Sequence, residues 1–216
     1  MSEVETINSV ESTDSFESLQ IIGYFKKIYE KENFEEYKNN RYNFSKEFRN
    51  FLEKILVKMT FKIFESINEK IESGLSSKIL DKETVVRCID EIYPGDATRS
   101  ALDYAIIATD KFSGSKKSKK ENSDTDNKKK QSVSASCGLS LPVARFKTFF
   151  KKLCISKKTR EDVHILLTGV IEWYASELMF QSLYECREAD KKTVTTDFLI
   201  KAIDTDDNLD NIRQFV

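Results

Sequence analysis

Residues 45–73 read SKEFRNFLEKILVKMTFKIFESINEKIES. Apolar side chains recur there at steps of three and four: Phe48, Leu52, Ile55, Met59, Ile63, Ile67 and Ile71. That is the period of one helix face, and Phe51, Leu56, Phe61 and Phe64 widen the stripe. A helix of this length is a rod of about 40 Å. A rod apolar over so wide an arc has to be wrapped by other helices. Gly74 supplies the stop.

Working outward, a short helix is predicted before the rod, from Leu19 to Glu30, with Leu19, Ile22, Phe25 and Ile28 on its apolar side and Ser18 as its cap. Residues 31–43 are charged and Asn-rich and read as a loop. After the rod, Leu75–Leu80 reads as a loop and Asp81 as the N-cap of a helix using Val85, Val86, Ile89 and Ile92. Pro94-Gly95 ends it, and Asp96 caps a further helix running to about Phe112. Residues 113–136 hold Lys, Ser, Asn and Asp with almost nothing apolar, and read as a flexible linker.

Beyond that linker the pattern returns. Pro142–Leu153 forms a short helix with Phe146, Phe149 and Phe150. Residues 160–187 form a second rod with Val163, Leu166, Leu167, Val170, Ile171, Tyr174 and Leu178 on its apolar face. Thr159 and Asp162 have capping-box spacing in front of it. A loop over 188–194, a short helix over 196–203 and a last helix capped by Asp206 complete the chain. Short-long-short occurs twice, about 120 residues apart, so the expectation is an all-α protein of two similar units, 18–112 and 137–216.

Composition narrows the chemistry. Glycine (6) and proline (2) are scarce, as a helical chain requires. The net charge of −1 gives no sign of a polyanion partner, but charge is unevenly placed. Residues 1–17 carry Glu3, Glu5, Glu11, Asp14 and Glu17 without a Lys or Arg, and read as a disordered acidic tail. The linker carries Lys116, Lys117, Lys119, Lys120, Lys128, Lys129 and Lys130. Cys88, Cys137, Cys154 and Cys186 form no C-x-x-C pair, and His164 is the sole histidine, so neither a metal nor a cofactor is expected. No Ser/His/Asp set and no Gly-rich phosphate loop is visible, so no enzyme is expected either. With no signal peptide and no apolar run of about 18 residues, the chain reads as intracellular, neither secreted nor membrane-spanning.

Cys137-Gly138-Leu139-Ser140-Leu141-Pro142-Val143-Ala144-Arg145 resembles the start of the 2A-type core histone, A-G-L-x-F-P-V-G-R. Val170-Ile171-Glu172-Trp173-Tyr174-Ala175-Ser176-Glu177-Leu178 resembles its central helix, Lys191-Lys192-Thr193 its second loop, and Ala202-Ile203 with Asp206-Asp207-Asn208-Leu209 its A-I-x-x-D-E-E-L stretch. In the first half, Pro94-Gly95-Asp96-Ala97-Thr98-Arg99-Ser100-Ala101 and Ala108-Thr109-Asp110-Lys111-Phe112 are similar to the 2B-type C-terminal helix. A 2B-type unit followed by a 2A-type unit resembles the histone doublets of giant DNA viruses of the Marseilleviridae type, in a shorter form.

The resemblance implies two histone folds clasped in a handshake, wrapping double-stranded DNA without reading bases, beside a doublet of 4-type and 3-type histones. It also implies residence in a virion, a viral factory or a host nucleus. DNA would meet paired loops and paired helix N-termini, whose free N–H groups bind phosphate. Carried onto this chain, Arg145 opens the 2A-type first helix. Lys151, Lys152, Lys157 and Lys158 flank its first loop, and Lys191 and Lys192 mark its second. Arg41 and Ser45 stand at the first loop of the 2B-type half and Lys78 in its second. Glu172, Glu177, Asp206 and Asp207, extended by Asp96, match an acidic patch that accepts arginine anchors. Phe180 and Asn208 stand where two further acids belong, and Thr193-Val194 where the family carries a minor-groove arginine. Each charge also has a plainer reading as part of a solvated helix face. A histone-fold transcription-factor or chaperone-like module outside any nucleosome is the alternative, and a helical adaptor without nucleic acid a third.

Overall fold

A computed structural model describes residues 19–31, 42–74, 79–121, 132–156 and 158–216, without the side chains of 115–121. The architecture is all-α, joined by four two-residue strands. After a 3-10 turn at Ile22–Tyr24 come α1 (Phe25–Lys31), β1 (Asn43–Phe44), α2 (Lys46–Glu72), β2 (Ile79–Leu80), α3 (Lys82–Ile92) and α4 (Asp96–Glu121). The second half comprises α5 (Val133–Cys137), α6 (Val143–Leu153), β3 (Lys158–Thr159), α7 (Glu161–Glu188), β4 (Thr193–Val194) and α8 (Thr196–Thr205). A 3-10 turn at Asp207–Leu209 and α9 (Asp210–Arg213) close the chain.

The strands fix how the halves meet. β1 pairs in parallel with β4, Asn43 opposite Thr193 and Phe44 opposite Val194. β2 pairs in parallel with β3, Ile79 opposite Lys158 and Leu80 opposite Thr159. The loop before one rod therefore joins the loop after the other, at both ends, and α2 and α7 cross with opposed directions. One core contains side chains of both halves, including Leu52, Ile55, Met59 and Ile63 from α2 and Leu166, Val170, Tyr174 and Leu178 from α7. Phe61 meets Phe149 edge-on at 5.3 Å and Phe64 meets Phe150 at 5.2 Å, joining α2 to α6. The chain end seals the far side: Phe215 lies 6.0 Å from the Tyr93 ring, and Lys58 Nζ donates to its carbonyl at 3.0 Å.

Helix α4 lies along α7. Thr98 and Tyr174 share a hydrogen bond of 2.7 Å. Further along, a Cβ placed on Gly169 would stand 2.8 Å from the Cα of Ala105, so only glycine allows this approach. A second, smaller cluster of Ala108, Cys137, Leu139, Val143 and Ile165, flanked by Phe112 and Val133, clips α5 onto α4.

Several local expectations hold. Ser45 Oγ accepts from Phe48 N at 3.0 Å, Asp81 from Thr84 N at 2.8 Å, and Asp206 from Asn208 N at 2.9 Å. Others are corrected. The first helix begins at Phe25, because Ile21 N is held by Glu53 Oε1 at 2.7 Å, Gln20 takes a positive φ of 53° and the 3-10 turn intervenes. Of the expected 113–136 linker, 113–121 continue α4 and 133–136 belong to α5. Lysines are good helix formers, and the small cluster holds α5 through Val133 and Cys137. Residues 122–131, the tail 1–17 and Ser18 lie outside the described residues. The Thr159–Asp162 capping box does not form. Thr159 Oγ1 bonds His164 Nε2 at 3.1 Å, and Asp162 accepts from its neighbour Val163 N and pairs with Arg160 at 3.3 Å. Asp96 is the first helical residue of α4, paired with Arg99 at 2.7 Å, and not its cap.

Candidate nucleic-acid interface

Each bridged loop pair gathers cations. At the β2–β3 end Lys158 is exposed, and Arg160 follows directly before α7. Lys151 and Lys147, one turn apart on α6, complete a cleft of about 390 Å³ with Lys158, Arg160 and Ile79. Lys152 is also exposed, on the last turn of α6. Lys78 and Lys157 lie outside the described residues. Arg160 and Lys147 were missing from the sequence reading. The spacing of Lys147 to Lys151 was the available signal, since residues four apart share a helix face.

At the β1–β4 end Lys191 and Lys192 are exposed. Asp190, at φ 52°, turns the chain there, and Asn43 N donates to Lys192 O at 3.0 Å. Lys192 Nζ sits 4.9 Å from the Tyr42 ring centre. Ser45 is half-buried; its N–H donates to Val194 O at 2.9 Å, and its hydroxyl is the cap of α2. Lys46 and Arg49, both exposed in the first turn of α2, join this group. Arg41 lies outside the described residues.

Arg145 occupies the ground between the start of α6 and the entry to α1. It is half-buried, and its Nη1 donates to the carbonyls of Leu19, at 3.3 Å, and Gln20. Its guanidinium carbon lies 5.6 Å from the Tyr24 ring centre. The residue thus ties the halves together beside a cleft of about 330 Å³ that Thr148 and Lys152 also line.

One acid leaves the expected patch. Glu172 is fully buried, so it is withdrawn from any surface patch. One of its oxygens accepts from Lys31 Nζ and Tyr104 Oη, both at 2.8 Å. The other accepts from the N–H groups of Ser140 and Leu141, both at 2.7 Å. Glu177 is half-buried and accepts from Gln181 at 2.8 Å. Asp206 is spent on its own turn, Asp207 is exposed, and the turn holding them packs on α4, whose first residue is Asp96.

His164 is buried at 2% exposure, its ring edge-on to Phe150, and its Nδ1 has no partner among the described residues. Burial, with Lys147 nearby, brings its pKa down to about 4. All four cysteines are buried free thiols. Among the described residues no group of His, Cys, Asp and Glu is placed to hold a metal ion, and no helix is long and apolar enough to cross a membrane. No protein-family model matches the chain, and no curated protein matches it.

Proposed function

We propose that the chain is a histone doublet: a 2B-type and a 2A-type histone fold, fused in that order and clasped in an intramolecular handshake, that packages double-stranded DNA without sequence preference and catalyses nothing. It would act beside a 4-type/3-type histone doublet in nucleosome-like particles, in a virion, a viral factory or a host nucleus. The observation that carries this reading is the reciprocal loop pairing, β1 with β4 and β2 with β3. It sets Lys191, Lys192, Lys46 and Arg49 at one end of the crossed rods and Lys147, Lys151, Lys158 and Arg160 at the other. Two cationic ends on one rigid body suit a backbone-following polyanion. Fusion makes the pairing intramolecular and fixes its stoichiometry.

A histone-fold transcription-factor or chaperone-like module is the second reading. The net charge of −1 and the engagement of Arg145 with backbone carbonyls favour it. The deciding experiment mixes the chain with a 4-type/3-type doublet and DNA and assays nuclease protection. A protected fragment is expected, with weak binding by the chain alone that falls with salt at a log-log slope of about −0.9 per phosphate neutralised. Lys151→Gln with Lys158→Gln should flatten that slope by about two such contacts. Absence of any protected fragment overturns packaging and leaves the second reading.

A further inference from the structure

The helix α6 and the acidic segment 1–17 are opposite in charge and meet at one point of the chain. α6 reads VARFKTFFKKL and carries Arg145, Lys147, Lys151 and Lys152 without an acid. Arg145, Thr148 and Lys152 stand at steps of three and four, in one stripe about 10 Å long. Lys147 and Lys151 form a second stripe beside it, and all three lysines are exposed. The first stripe lines the cleft of about 330 Å³ together with Leu19 and Gln20. Ala144 borders this cleft and also a larger one of about 630 Å³, where Lys27 and Lys147 stand against Glu161.

Leu19 and Gln20 are also where the segment 1–17 leaves the folded body. That exit is fixed: Arg145 Nη1 donates to both carbonyls, and Glu53 Oε1 holds Ile21 N at 2.7 Å. The segment carries Glu3, Glu5, Glu11, Asp14 and Glu17 and no Lys or Arg. A flexible chain of its length spans about 23 Å, more than either stripe requires. Tethered at the rim of the cleft, it meets α6 at an effective concentration near millimolar. Each exposed ion pair contributes little, so the contact draws on several pairs and on the tether together.

We infer that the segment 1–17 docks in cis on α6, with its carboxylates on Lys147, Lys151 and Lys152 beside Arg145, and so covers part of the surface that a polyanion would use. The contact goes beyond the packaging reading and is tested without DNA.

The full chain is treated with a carbodiimide, which joins a carboxylate to a lysine amine only where the two touch. Glu3, Glu5, Glu11 and Asp14 should be found joined to Lys147, Lys151 or Lys152 in the monomeric product, and these joints should fade as salt is raised. The exposed Lys54 and Lys62 of α2, with Lys191 and Lys192, serve as the comparison. In a second arm, Glu3→Gln, Glu5→Gln, Glu11→Gln, Asp14→Asn and Glu17→Gln together neutralise the segment. That variant should melt at the same temperature and bind heparin, the polyanion probe, about fivefold more tightly. The inference is overturned if joints fall as often on the comparison lysines or on those of 116–130, or if they appear only between two chains. Unchanged heparin affinity in the neutralised variant overturns it as well. Joints intact in a chain that protects no DNA would uphold the docking and strike the packaging reading alone.

Discussion

Replacing Glu172 with Gln tests the most heavily bonded side chain at the meeting of the two halves. Its carboxylate accepts from Lys31, 141 residues away, from Tyr104 on α4 and from two backbone N–H groups ahead of α6. Glutamine keeps one oxygen. Its amide N–H₂ then faces either the Lys31–Tyr104 pair or the Ser140–Leu141 pair, all of them donors, and Lys31 loses its buried counter-charge. Lys31 is itself partly exposed, so the cost lies mainly in the buried N–H or O–H donors left facing an amide N–H₂, about 1–3 kcal/mol. In a chain of this size each kcal/mol moves the melting temperature by roughly 2–4 °C, so a fall of about 2–12 °C is expected. Urea unfolding should show the midpoint lowered at unchanged slope. A solvent-facing acid at this position would give a change within about 0.5 kcal/mol. A measured loss below about 1 kcal/mol would therefore refute the clamp and return Glu172 to the surface.

Gly169→Ala should cost about 1–3 kcal/mol, read by thermal melting, because the new methyl group meets the backbone of α4; a neutral result would mean that α4 and α7 lie further apart. His164 gives a pH signature. Its imidazole stays neutral in the fold down to about pH 4, whereas in the unfolded chain it takes up a proton near pH 6.5. The stability it allows is complete above pH 6.5 and is lost as the pH falls towards 4, by up to about 3 kcal/mol. Urea melts at pH 7.5 and 4.5 should therefore shift the comparison in favour of His164→Phe at the acid end, and a constant gap between the two proteins would contradict it. Arg145→Ala should lower stability by about 1–2 kcal/mol, through the lost bonds to Leu19 and Gln20, and should speed proteolysis near Ile21–Tyr24. Unchanged proteolysis would show that the entry to α1 is held by other contacts.

The rods were legible in the sequence because their apolar period is local: Ile55, Ile63 and Val170 declare their faces from neighbours three and four residues away. The caps at Ser45, Asp81 and Asp206 were legible for the same reason, each bonding an N–H within three residues. Where the deciding contact is distant, the local pattern misleads. Glu172 looks like one more acid on a helix until α1, α4 and the turn before α6 arrive around it. Arg145 carries a motif that suggests a solvent-facing cation, while its partners lie 125 and 126 residues earlier. The packing of α5 on α4 at Ala108 and Phe112 is a contact that charge and composition alone do not reveal. The cations at the loops were partly legible, since Lys158, Lys191 and Lys192 were found by motif. Arg160, Lys46 and Arg49 emerged only once the strand pairing set their neighbourhoods.

The clip between α4 and α5 has a consequence for what the peptide connection does. Both shores of residues 122–131 are fastened to the folded body, by Phe112 and Ala108 on one side and Val133 and Cys137 on the other. A single protease nick in between would leave two fragments co-migrating as one particle under native conditions and separating only in denaturant. Covalent continuity then governs how quickly and how faithfully newly made halves find each other, while the finished body owes its cohesion to the crossed rods.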